Sequence, residues 1–451
     1  MDNICCKKTL VLGIIVMFLI VGINPSSAIN PIKEYIVTLN NGKTLYVGGN
    51  GPGNYTSIQA AIDDAISGDT VFVYSYSSPY FENIVIRKSI NLIGEDKDTT
   101  VIDGSNRGFV VEITSDFVNI SGFSIINSGR GINIIKSQSC NIKYNKLYNH
   151  TEGICSFNYF DYGYNTYFEN NFSKCSQGLY IIESNKDHII NNTFKNCSGG
   201  CMLLRWITNS EIIGNIMEDC GAGIELCDLS TNNLICKNII NNTYRTRGIR
   251  IGSNFGVICY DNIITNNTVS NCKLDGIYVA AKSEASTVSG NMIYENERFG
   301  IYFMNSESNH VIGNSIFSNN QGGLHLEYYS NNNIVSKNYI NNNTGKGGII
   351  MTYYSDKNQI LLNQIENNII GININNSKLN EIKNNNIMKN KKHDAIFYGL
   401  LLTWNNKWIN NYWSKAKIFP KIIIGRIGPQ RNIPWFNFDW RPAKEPYDVG
   451  V

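Results

Sequence analysis

The chain is 451 residues long, carries a net charge of +3 and has only 17% charged residues, against the roughly one quarter usual in globular domains. So slight a charge excludes a nucleic-acid partner held on a basic surface. The length would serve several domains, but a stacked repeat can occupy all of it as one.

Residues 1–28 read as a targeting segment. Lys7 and Lys8 precede an apolar run from Leu10 to Ile23, and Ser26-Ser-Ala28 offers small residues for cleavage. Export with cleavage after Ala28 is expected, and an uncleaved membrane anchor is the alternative. Residues 29–43 form a polar lead-in. Residues 44–105 open the fold, with strands expected at 45–47, 70–73, 84–86, 90–93 and 100–102. Thr56-Ser-Ile-Gln59 reads as a capping box that starts a helix over 57–67. Ile58, Ala61, Ile62, Ala65 and Ile66 fall on one face of that helix, suited to cover an open apolar end.

Residues 106–400 repeat one pattern. A Gly followed by an aliphatic residue recurs from Gly131-Ile132 to Gly371-Ile372, in steps of 22 to 28 residues. Gly200-Cys201 and Ala395-Ile396 are weaker copies. An Asn-x-aliphatic marker precedes each Gly, as in Asn145-Lys-Leu147 and Asn314-Ser-Ile316. After each Gly the residues alternate, as in Gly178-Leu-Tyr-Ile, which is the period of a strand. Asn, Ser and Gly between strands supply tight turns. Three short strands per repeat make a coil of about 22–25 residues, each stacked on the last at ~4.8 Å: an all-β parallel β-helix. No Pro occurs between Pro79 and Pro420, as expected where most backbone N–H groups are used in ladders. Residues 401–451 hold Trp404, Trp408, Trp413, Trp435 and Trp440 together with five of the nine Pro. They read as an aromatic and Pro-rich cap and tail over the far end.

Ten of the twelve Cys lie beyond the targeting segment. Five residues after the Asn marker, His150, Cys175, Cys197 and Cys220 fall at one position of consecutive coils, followed by Thr243 and then Asn296, Asn319, Asn343, Asn368 and Asn390. Parallel stacking holds Cβ atoms farther apart than the ~3.8 Å of a disulfide. Buried thiols giving way to an Asn ladder are therefore expected. A metal site from His150 and the three Cys is the weaker reading, because four ligands in line make no tetrahedron. Cys236 and Cys259 are expected to stack likewise. The pattern calls for no cofactor and leaves copper and calcium open.

The opening segments Thr56-Ser-Ile-Gln-Ala-Ala-Ile-Asp-Asp-Ala65, Gly68-Asp-Thr-Val71 and Lys88-Ser-Ile-Asn-Leu-Ile-Gly94 resemble the start of pectin-lyase-like right-handed β-helices. The Asn- and Gly-marked coils resemble the NosD-type parallel β-helix repeat, a carbohydrate-binding and sugar-hydrolase type of domain. The resemblance spans about 45–415 and implies a right-handed coil on an exported protein, with a copper-related accessory role as one family precedent. The catalytic runs of pectin methylesterases and the Tyr-Gly-x-Asp-Pro-His-Asp motif of alginate epimerases have no counterpart here.

The residue two after each marker should face outward from one sheet. Reading up the coils gives Asn133, Cys155, Tyr180, Met202, Glu225, Arg250, Tyr278, Tyr302, His325, Ile350, Asn373 and Phe397. Tyr180, Tyr278 and Tyr302 would offer flat faces to sugar rings, with Arg250 and His325 beside them. A lyase would need a cation for a uronate carboxylate and a base for the C5 proton, roles for Arg250 and for His325 or Tyr278. A hydrolase would use two carboxylates, for which Glu225 and Asp228 are the candidates. A plain Glu225–Arg250 ion pair on adjacent coils is the competing expectation. The expected role is glycan binding or structure at the cell surface. Polysaccharide cleavage and copper-related assistance are the alternatives, and the oligomeric state stays open.

Overall fold

The computed structural model describes residues 42–159, 162–252, 257–280, 282–400, 405–414 and 419–450. The targeting segment, the lead-in up to residue 41 and Trp404 lie outside them. Strands wind through three stacks of parallel pairing. The first sheet climbs from Thr44–Val47 through Thr70–Val73 to Lys407–Ile409. The second runs from residues 101–103 to Tyr412–Trp413, and the third from Ile84–Ile86 to Lys421–Ile427. Many strands of the first two sheets are three residues long with only the middle side chain buried, as in Glu211–Ile213 and Ser315–Phe317. That middle residue stacks on its counterparts: Ile212 lies between Ile189 and Ile235, and on the third sheet Ile249 lies between Ile224 and Ile277. The lumen is thus a column of mostly aliphatic side chains, with some aromatic rings and thiols, and has no access to water.

The marker glycines sit where the chain passes the lumen side chains of the second sheet. A Cβ on Gly300 would lie 2.4 Å from Ile316 Cγ2 and 2.9 Å from the Gly323 carbonyl oxygen, so only glycine fits. The marker asparagines have a different duty. Asn192, Asn215, Asn238, Asn267 and Asn291 are all buried at one corner. The backbone N–H and Nδ2 of each donate to Oδ1 of the next, as in Asn215 to Asn238 at 2.9 Å. Nδ2 also donates to a carbonyl one coil back, as in Asn215 to Ile189. Every corner polar group is thereby satisfied inside the turn. The residue before each of these asparagines, such as Asn191, Gly214, Lys237 and Gly290, has positive φ. Two further corners repeat the device, one through Asn309 and Asn333 and one through Asn319 and Asn343.

Asp187 stands where the first of those further corners carries Asn on most coils and Ser at Ser210 and Ser286. It accepts from the Asn165 N–H at 3.0 Å, and its own N–H donates to Ser210 Oγ at 3.0 Å. Burial pushes its carboxyl up to about 7, and hydrogen bonds from Ser184 and the Asn165 N–H pull back only in part. Its unfolded value is near 3.9. The folded chain therefore holds the proton more tightly. That contribution to stability is complete below about pH 4 and is lost as pH rises through 7. Asp187→Asn should match the wild type near pH 4 and exceed it at pH 8 by up to ~4 kcal/mol in denaturant titrations. A gap independent of pH would refute the argument.

The N-terminal helix, α1, spans Ile58–Asp64 and is shorter than expected. Ser57 caps it, but the reciprocal carboxylate comes from another coil: Glu82 accepts from the Ile58 and Gln59 N–H groups at 2.8 and 3.0 Å. Gln59 instead pairs with both backbone groups of Val85, filling the free edge of the third sheet. Ile58, Ala61, Ile62 and Ala65 are buried, whereas Ile66 is exposed because the chain turns extended at Ala65. At the other end Lys421–Ile427 and Ile433–Asp439 form an antiparallel hairpin. Trp408 and Trp413 are buried, while Trp435 and Trp440 reach solvent.

Candidate functional site

The third sheet carries the outward ladder, and the register corrects it at two steps. Gly200 pairs with Gln177, so Leu203 aligns with Tyr180, and Met202 points into the lumen. Ile396, not Phe397, aligns with Asn373. The remaining residues do stack in order, through Glu225, Arg250, Tyr278, Tyr302, His325 and Ile350. Their burial differs from the expectation: Tyr278, Tyr302, His325 and Ile350 are all buried, and with Phe299 and Ala280 they form a second apolar cluster outside the lumen. Arg247 lies 3.9 Å over the Tyr278 ring, Arg298 covers Phe299 and Tyr302, and the Tyr302 and His325 rings stack at 5.2 Å. Ring faces expected to meet sugar are occupied by neighbouring rings and guanidinium groups.

The polar members of the face are engaged as well. Arg250 stands 3.7 Å from Glu225, the ion pair that competed with a site. Asp228 is buried with Arg205 at 2.7 Å, so it stands apart from Glu225 as the anchor of another arginine. Arg247 and Arg298 share the buried Asp275. Tyr302 donates to Glu327, and burial with that bond raises its pKa. His325 Nε2 meets Thr352 Oγ1 at 2.8 Å, and burial pushes the imidazole down to about 3, with Lys346 and Arg298 adding to the effect. Tyr180 remains partly exposed near the N-terminal end of the face.

Just beyond this sheet lies a feature that the outward ladder did not reveal. The turn after each third-sheet strand needs positive φ, which Asn meets cheaply at Asn305 and Asn376. On two consecutive coils tyrosines take it instead: Tyr328, Tyr329, Tyr353 and Tyr354 have φ of 49°, 57°, 51° and 64°. Tyr328 stacks on Tyr353 at 4.8 Å and Tyr329 on Tyr354 at 5.4 Å, and all four remain 41–53% exposed. The next coil brings only the short Asn375 and Asn376 to this turn, so the outer ring faces stay open. The signal in the sequence was Tyr-Tyr-Ser repeated one coil apart, at Tyr328 and Tyr353.

The thiols stack as a column. Cys220 pairs in register with Thr243, the Cys197 N–H meets Cys220 Sγ at 3.4 Å, and Cys272 is a further member before Asn296. All ten Cys beyond the targeting segment are free and all but Cys236 are buried. Cys236 and Cys259 do not stack: Cys236 pairs with Thr265 on the outer side of its strand, and Cys259 lies in a preceding turn.

With this geometry, residues 62–254 match the family model described as periplasmic copper-binding protein (NosD), and residues 260–414 match that described as right handed beta helix region. The two models together span most of the coils, and the chain is a right-handed parallel β-helix protein. Among solved structures, this β-helix is similar to the Dettilon tailspike protein, at 16% identity over 78% of this chain and 68% of the other, with a TM-score of 0.41. It is similar to the catalytic domain of GH87 alpha-1,3-glucanase, at 12% identity over 69% and 66%, TM-score 0.47. It is also similar to the A-module of the Azotobacter vinelandii mannuronan C-5 epimerase AlgE6, at 12% identity over 86% and 91%, TM-score 0.34. No curated protein matches the chain in sequence.

The description of the first family model makes copper the metal to test against the His150–Cys220 column. Both ring nitrogens of His150 are engaged, Nε2 with the Ile125 carbonyl at 2.9 Å and Nδ1 with Ser128 Oγ at 3.0 Å, and burial lowers its pKa. Cys175 Sγ donates to the Leu147 carbonyl, and contacts with Cys175 and Cys220 hold the Cys197 thiol protonated. Among the described residues no group of three or more His, Cys, Asp or Glu is arranged around a metal position. An imidazole with both nitrogens committed, and thiols hydrogen-bonded to one another and to carbonyls with no three donors converging among the described residues, do not fit a copper ion.

Proposed function

We propose that this β-helix is an exported protein that binds a glycan at the cell surface through the stacked tyrosines at Tyr328–Tyr354. The observation that carries the reading is the pair of tyrosine columns. A turn that Asn fills at low cost is given to four bulky rings, which then remain open to solvent. Stacked aromatic faces with hydroxyls at their rim suit a sugar ring, which has an apolar face and a polar edge. Export is supported by the Lys7–Ala28 pattern and by the periplasmic family whose model the chain matches. Binding is favoured over cleavage because the sequence candidates for proton transfer are occupied. His325 is buried and held neutral, Arg247 lies over the Tyr278 ring, Glu225 faces Arg250 and Asp228 is buried against Arg205.

A panel of neutral and acidic polysaccharides, scored for retention and for chain cleavage, tests this. At least one glycan should be retained without cleavage. Tyr328→Ala and Tyr353→Ala should each weaken retention by about fivefold, the worth of ~1 kcal/mol of ring contact. Tyr278→Ala should lower the melting temperature and leave affinity unchanged. Equal retention of the wild type and a Tyr328→Ala/Tyr353→Ala double variant on every glycan would remove the reading, and glycan shortening would revive the enzymatic one.

A further inference from the structure

We infer that the C-terminal hairpin is a docking face for an anionic lipid surface. Its two faces differ sharply. Ile423, Ile427, Asn437 and Asp439 are buried toward the last coil. The opposite face presents Ile422, Ile424, Phe436, Phe438 and Trp440, and Trp440 is 68% exposed. Phe438 and Trp440 stack at 4.8 Å on this face. Five large apolar side chains on one ribbon exceed the scatter expected of an ordinary surface.

Charge decides what covers them. Arg426 shares the face with Ile422 and Ile424, Arg431 is exposed in the hairpin turn, and Arg441 and Lys444 are exposed just past Trp440. Both ends of the apolar strip are therefore cationic, and Glu445 and Asp448 are the exposed acids of the 419–450 tail. A second copy of the chain would bring arginine toward arginine in either orientation, a repulsive arrangement. A glycan gains little from isoleucine. An anionic membrane matches both parts: Trp, Phe and Ile enter the interface while Arg and Lys meet headgroups, at roughly 1 kcal/mol per cation near the surface. Beside the ribbon a cleft of ≈ 500 Å³ opens between it and Lys407–Ile409, lined by Trp408, Trp435, Phe436 and Phe438, with room for the end of an acyl chain.

The test uses the full chain with vesicles of phosphatidylcholine alone and of phosphatidylcholine mixed with phosphatidylglycerol. The readout is quenching of tryptophan fluorescence by brominated acyl chains, which ignores the 1–41 segment because it contains no Trp. Quenching should appear with the anionic vesicles and fall as salt rises. Arg426→Glu/Arg441→Glu should lower affinity at least tenfold. Phe436→Ser/Trp440→Ser, with its far-ultraviolet circular dichroism unchanged, should abolish binding by the ribbon. Absence of quenching in the wild type, or equal quenching in both double variants, would overturn the proposal. So would a wild-type dimer in sedimentation that Phe436→Ser/Trp440→Ser turns into a monomer, since the face would then be an interface between copies. Glycan retention should be the same for these variants as for the wild type, which keeps this proposal separable from the tyrosine site.

Discussion

Ile249→Asp should leave the chain without a native thermal transition. Ile249 is buried in the lumen between Ile224 and Ile277, with aliphatic side chains above, below and across. Among the described residues no cation lines that column, so the carboxylate has no partner and must stay protonated or unfold its surroundings. Losing the packed side chain and burying an unpaired polar group together cost more than ~5 kcal/mol, as much as the whole stability of many domains. In a solenoid each coil is held by its neighbours, so a defect at mid-length separates two stacks that each expose a raw end. Two controls set the scale. Ile249→Val should cost only about 1 kcal/mol. Ile239→Asp, on an outward and 47% exposed side chain, should stay within roughly 0.5 kcal/mol. A melting temperature unchanged in Ile249→Asp would mean the register is wrong.

Lumen positions such as Ile249 were legible because strand alternation and the coil period both mark them, and each lumen side chain sees the same environment on every coil. The marker glycine was legible for the same reason, since the steric demand at Gly300 recurs at most of the points where a strand enters the third sheet. The outward ladder shows where this stops. Alternation tells which side of a sheet a residue takes, but nothing about what the turns lay over it. Arg247 and Arg298 come from turns and Phe299 from the first position of its strand, and together they bury Tyr278 and Tyr302. The two register slips have a local cause. At the weak copies the residue aligned with the marker glycines is Cys201 or Asp394, one step away from the residue that resembles the marker. The open tyrosines were missed because they occupy a turn, where the repeat tolerates any side chain that accepts positive φ.

Asp439→Ala should be the second largest loss, and it should be confined to the C-terminal end. The asparagine corner is directional: each member donates its backbone N–H and Nδ2 forward, so the last member, Asn411, needs an acceptor that has nothing to pass on. A carboxylate is acceptor-only when ionised. Asp439 returns from the hairpin to fill that place. It accepts from the Asn410 and Asn411 N–H groups at 3.1 and 2.8 Å, from Asn411 Nδ2 at 3.1 Å and from Trp413 Nε1 at 3.1 Å. Alanine would leave several buried donors unmet, at ~1–3 kcal/mol each, and would free the hairpin from the coil it closes. A loss of about 4 kcal/mol is expected in denaturant titrations. Amide exchange should rise from Lys407 to Asp439 and stay unchanged around Ile224–Cys227. Asp439→Asn keeps one acceptor oxygen but turns an amide toward these donors, so it should recover only part of the loss. If Asp439→Ala exchanges like the wild type throughout, the ladder does not end on this carboxylate, and the hairpin is held by its pairing with Phe397–Gly399 and by Ile423 and Ile427.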